Sequence, residues 1–202
     1  MEIVDLSVVL DEHTPVYPGD PETIIKPAGI LANDGYQDHY VSFGNHVGTH
    51  MDAPAHMIEG GKNLDEYPVD RFVGRGKLIA VHNDFSLQDV KASNLQPGDI
   101  VLFYTGLSDK YRQPAYFKDY PALPQKIAEF LVEKQVSIVG LDTCSPDHDE
   151  FVAHRTLLGG DVLIIENLSN LGRLAGKEFT VHALPIKMPL DGAPCRVIAT
   201  IY

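Results

Sequence analysis

Four residues able to bind a cation or move a proton fall within eleven positions: His46, His50, Asp52 and His56, in the segment HVGTHMDAPAH. Imidazole nitrogens and a carboxylate suit zinc, manganese or iron. Two histidines and one aspartate leave coordination positions open for water, as a catalytic rather than a structural metal site requires. All four residues carry even numbers, so an extended segment would project them to one side, with small Gly48 and rigid Pro54 between them. A helix would pair His46 with His50 but turn Asp52 about 200° away from His50 at ~100° per residue. The zincin pattern HExxH is excluded, because Val47 stands where its glutamate is needed.

Glu166 ends the apolar run DVLIIE, where a buried carboxylate needs a partner such as a metal and an unburied one simply reaches solvent. His13, His39, His82, His148 and His182 match no ligand position. Cys144 and Cys195 lie in different apolar stretches without CxxC spacing and read as buried thiols.

The elements that must position these groups are mostly strands. Runs rich in β-branched and aliphatic residues recur at 2–9, 39–45, 77–83, 99–105, 136–142, 161–166, 179–187 and 195–202, each bounded by turn residues. Leu123, Ile127, Phe130 and Leu131 follow helical spacing behind Pro124, predicting a helix over 123–134. A second helix is expected over 149–158, where Phe151, His154, Leu157 and Leu158 share a face and Gly159-Gly160 ends the pattern. The first helix leads into the continuous apolar strand SIVGLD, the mark of a covered parallel region, so the sheet should be mixed. Pro97-Gly98 supplies the turn that launches the strand DIVLFYT, which should end at Thr105-Gly106.

With 202 residues, 44% hydrophobic and 22% charged, one domain over 1–202 is expected, and nothing in the chain marks a linker or a repeat. The formal net charge of −12 repels phosphate backbones and argues against nucleic acid as a partner. No apolar run approaches the roughly 20 residues of a membrane span. The acidic start MEIVDLSVVLDEH lacks the basic opening of a signal peptide, so a cytoplasmic protein is expected.

The segment from His46 to His56 resembles the HxGTHxDxPxH signature of the metal-dependent cyclase family, whose best-known members are bacterial kynurenine formamidases. Further stretches resemble the same family in order: Tyr17-Pro18-Gly19-Asp20-Pro21, Pro97-Gly98-Asp99-Ile100-Val101-Leu102 with Thr105-Gly106, Gly140-Leu141-Asp142, and Asp191-Gly192-Ala193-Pro194-Cys195-Arg196-Val197. The resemblance implies an α/β fold of the swivelling β/β/α type, with a mixed central sheet, a second sheet layer and few flanking helices. It implies that His46, His50 and Asp52 hold one metal, that Asp52 bridges to a second held by His154 and Glu166, and that His56 carries the proton. One or two Zn2+ ions per chain, or Mn2+, would serve amide hydrolysis, N-formylkynurenine being the leading substrate. Relatives opening cyclic amides such as isatin, ester hydrolases, and metal binders without turnover are the alternatives. The family also implies a small-molecule substrate and a homodimer or homotetramer.

Overall fold

Ile100 and Leu102 point to one side of their strand and Val101 and Phe103 to the other, and all four are fully buried. A strand covered on both faces belongs in the middle of a layered sheet. The computed structural model describes residues 1–148 and 150–202. Its elements run β1 (Glu2–Asp5), β2 (Ile24–Gly29), α1 (Leu31–Asp34), β3 (Asp38–Ser42), β4 (His50–Asp52), β5 (Val73–Ala80), α2 (Leu87–Ala92) and β6 (Ile100–Tyr104). They continue with α3 (Gln125–Glu133), β7 (Ile138–Leu141), α4 (Val152–Gly159), β8 (Leu163–Glu166), β9 (Phe179–Pro185) and β10 (Gly192–Ile201).

The main sheet has the strand order β1-β10-β4-β8-β7-β6-β5-β9. Strands β5 to β8 are parallel neighbours, and the remaining pairings are antiparallel, so the sheet is mixed as expected. It closes on itself because β10 is long: Gly192–Pro194 pair with β4, whereas Cys195–Ile201 pair with β9. Met51, Leu102, Ile165, Val181 and Val197 fill the space the closed sheet encloses. Val101, Phe103 and Ile164 face outward, where Ile127 and Leu131 of α3 and Leu157 of α4 cover them. The second sheet is the hairpin β2–β3, and the swivelling β/β/α architecture is the one the chain adopts.

The expected helix over 123–134 is α3, with Pro124 just before its first turn. The helix expected over 149–158 is α4, which starts later and runs through Gly159 to cap at Gly160; Asp149 lies outside the described residues. Four elements lie outside the expected apolar runs and helices: β2, α1, β4 and α2, the last capped by the Ser86 hydroxyl accepting from the Asp89 N–H. Among the described residues, no helix is long and apolar enough to cross a membrane.

Candidate metal centre

Strand alternation sets the heart of the site. Met51 points into the enclosed core, so its neighbours His50 and Asp52 project to the opposite face. On β8 the same face carries Ile164, opposite Asp52, and Glu166, opposite His50. Ile164 is roofed by the helix layer, whereas Glu166 stands at the carboxyl end of its parallel strand, where ligand sites of such sheets form. Asp142 follows β7 at the same level. It is fully buried and accepts from the backbone N–H of Thr105 at 2.8 Å and of Gly106 at 2.9 Å, tying β6 to β7.

His46 and His56 reach the site by another route than the even-numbered alternation predicts. Only His50 and Asp52 lie on a strand; His46 sits in the turn before it and His56 ends a short 3₁₀ turn, Pro54–His56. Gly48 makes the turn with φ of +61°, a conformation that side chains oppose. Its carbonyl accepts from His50 Nδ1 at 2.9 Å, which turns Nε2 of His50 inward, 3.4 Å from both Asp52 Oδ1 and Glu166 Oε2. The His46 ring fits because residue 192 is glycine: a Cβ there would collide with the ring carbon Cε1.

The distant half of the set arrives on α4. His154 Nε2 lies 3.3 Å from Glu166 Oε1 and 3.8 Å from Asp52 Oδ2. Its Nδ1 donates to Asp147 Oδ1 at 2.7 Å, and the other oxygen of Asp147 accepts the first-turn N–H groups of Ala153 and His154. Asn167 locks the two ligand segments together, donating to the Gly48 carbonyl at 2.9 Å while its own carbonyl accepts from Thr49 Oγ1 at 2.7 Å. Sequence reading missed Asp147, Asn167 and Asp191. Asp147 lies seven positions before His154, within reach of the start of the helix, and Asp191 opens one of the stretches that resemble the family.

The residues fit a cation on physical grounds. Asp52, His154 and Glu166 are all buried, and among the described residues Asp52 Oδ2 has no hydrogen-bond donor. A buried carboxylate oxygen without a partner is costly, and a cation would remove that cost. His46, His50 and Asp52 offer ligand atoms within 4.8 Å of one another, and so do Asp52, His154 and Glu166, with Asp52 common to both sets. Without the cation, protons take its place. Burial opposes charge on His46, but Asp52, 2.8 Å from its Nδ1, pushes its pKa up to about 9. His154 is likewise opposed by burial and lifted to about 10 by Asp147 and Glu166. Burial would raise the Asp52 carboxyl, yet His50 and His46 hold it well below the usual carboxylate range.

The cluster forms one wall of a pocket of about 240 Å³, whose other sides include Tyr17, Met57, Cys144 and Phe151. His56 borders this pocket with its ring centroid 4.1 Å from that of His46, and its Nδ1 lies 3.1 Å from Asp191 Oδ2. Cys144 is a buried thiol, as expected, and burial pushes its pKa up to about 12. His13, His39, His82 and His148 are exposed and His182 is half-buried, all outside the cluster. His148 stacks on Tyr120, with centroids 4.3 Å apart.

Known proteins share both sequence and architecture with this chain. An uncharacterized protein of Methanocaldococcus jannaschii is 35% identical over 203 residues, covering all of both chains. A kynurenine formamidase of Bacillus cereus is 28% identical over 98% of this chain and 96% of its own length. Among solved structures, an isatin hydrolase A of Labrenzia aggregata superposes with a TM-score of 0.87 at 26% identity, over 98% of this chain and 93% of its own. The Cyclase family matches residues 4–148, a span that includes the whole segment from His46 to His56, and the protein belongs to that family.

Proposed function

We propose that this protein is a metal-dependent amide hydrolase acting on aryl formamides, with N-formylkynurenine the leading substrate. The observation that carries this reading is the pair of donor sets sharing Asp52, open to a pocket that His56 borders. His46, His50 and Asp52 would hold one divalent cation and Asp52, His154 and Glu166 a second, zinc and manganese both suiting these ligands. Such cations supply Lewis acidity, which makes water nucleophilic near neutral pH and polarises a carbonyl.

The protein's own groups do the rest. With Nδ1 turned to Asp191, His56 keeps Nε2 to take the proton of the attacking water and return it to the departing aniline nitrogen. Tyr17, Met57 and Phe151 provide an apolar wall for an aryl ring. Water adds to the formyl carbon, the C–N bond breaks, and formate and the arylamine leave. Similarity to a kynurenine formamidase supports the formamide reading. Similarity to an isatin hydrolase supports a second one, ring opening of a cyclic amide at the same site.

Assaying the purified, zinc- or manganese-loaded protein against N-formylkynurenine, isatin and a simple aryl ester separates these readings. Preferential turnover of N-formylkynurenine is the expected result. Preference for isatin would move the assignment to cyclic amides, and no turnover of any of the three would leave a metal-binding protein.

A further inference from the structure

Two imidazoles donate to one oxygen. Oδ2 of Asp191 lies 2.9 Å from His46 Nε2 and 3.1 Å from His56 Nδ1, while Oδ1 accepts from Asn45 Nδ2 at 2.8 Å. A carboxylate only accepts, so each ring nitrogen that faces it carries a hydrogen. This leaves Nε2 of His56 for chemistry and Nδ1 of His46 for a cation, which would displace the hydrogen that Nδ1 shares with Asp52 at 2.8 Å.

The carboxylate is held from behind as well as in front. The backbone carbonyl of Asp191 accepts from the Ala53 N–H at 2.8 Å, and the next residue, Gly192, pairs with Asp52 across β4 and β10. Asp191 is thus anchored to the strand that bears His50 and Asp52, although it is far from them in sequence and beyond the segment that the family match covers. We propose that Asp191 is a positioning residue that sets the tautomers of His46 and His56 together, joining the cation site to the proton carrier through one carboxylate oxygen. This rests on the roles given above to His46 and His56.

An amide in place of the carboxylate tests the idea, because Asn45 already donates to one of the two oxygens. In Asp191→Asn the amide oxygen turns to Asn45, and its NH2 group then confronts both ring N–H groups. Loss of the acceptor that orients the His46 ring should weaken zinc binding about 10- to 100-fold. It should also shift the 15N signature of His56 from Nδ1–H to Nε2–H at fixed neutral pH. Asp191→Ala, which removes the acceptor without introducing a donor, should give both tautomers. The double variant Asn45→Asp with Asp191→Asn exchanges the two groups. The new carboxylate at position 45 would accept from the amide NH2, the amide oxygen would face the rings, and zinc affinity and tautomer should return.

A merely space-filling side chain would tolerate the isosteric amide. Wild-type zinc affinity and an unchanged His56 tautomer in Asp191→Asn would therefore overturn the proposal. So would a folded double variant no better than the single one. Neither readout needs a substrate, so inactivity of the wild-type protein on every amide would remove the hydrolase reading and leave this test standing.

Discussion

Asp147 holds His154 in place with one oxygen, 2.7 Å from Nδ1, and caps the first turn of α4 with the other. A single carboxylate thereby fixes both the helix and the ring it carries. Asp147→Ala should cost about 1 kcal/mol through the lost cap and lower zinc affinity about 10- to 100-fold. Thermal unfolding without metal, beside chelator competition with it, separates the two effects. Unchanged zinc affinity would show that His154 orients without this carboxylate.

Asp52 is the residue both donor sets need. Asp52→Ala should lose stoichiometric metal at both positions and all turnover, read by elemental analysis after gel filtration. Retention of two metals per chain would contradict its bridging place.

His56 stands apart from both of the sets that share Asp52. His56→Ala should keep its metal while kcat falls about 100-fold or more. Unchanged turnover would remove the proton-transfer role.

A cation at the proposed site would compete with protons for His46 and His154, whose pKa values in the metal-free fold are raised to about 9 and about 10. Zinc binding at neutral pH should therefore release protons, and affinity should strengthen by about tenfold per pH unit for each proton displaced. Titration calorimetry in buffers of different ionisation enthalpy counts those protons. The metal-free protein should behave in the opposite sense. Both values exceed the ordinary 6.5, so the stabilisation is complete below pH 6.5 and fades as pH rises through about 9 and about 10. Pronounced loss of stability on acidification from pH 8 to 6.5 would contradict this.

Gly192 leaves no room for a side chain, since a Cβ would run into the His46 ring. Gly192→Ala should displace that ring and weaken zinc binding by at least about 10-fold. Wild-type affinity would mean that the ring yields without loss.

Much of this site is legible in the chain because four of its residues crowd into eleven positions and the period of two correctly turns His50 and Asp52 the same way. The same period gives a wrong account of His46 and His56, which a turn at Gly48 and a 3₁₀ turn at Pro54 deliver instead. β2 escapes an apolar pattern because Pro27 and Gly29 interrupt it, and both are tolerated on a strand that, among the described residues, pairs only with β3 and bulges between them. β4 carries no apolar pattern, two of its three residues being polar, and only the spacing of His50 and Asp52 marks it as extended. Asp147, Asn167 and Asp191 act through contacts that no spacing encodes, made where loops from distant parts of the chain meet.

More than half of the chain lies between His50 and Glu166, yet their side chains are 3.4 Å apart. Both cysteines are unpaired, so no sulfur bridge spans that distance. An ion gripped by these ligands would be a staple as well as a reagent, shortening the loop that the unfolding chain can open. Durability and reactivity would then draw on the same few atoms, and a chelator would loosen the barrel as it silenced the chemistry.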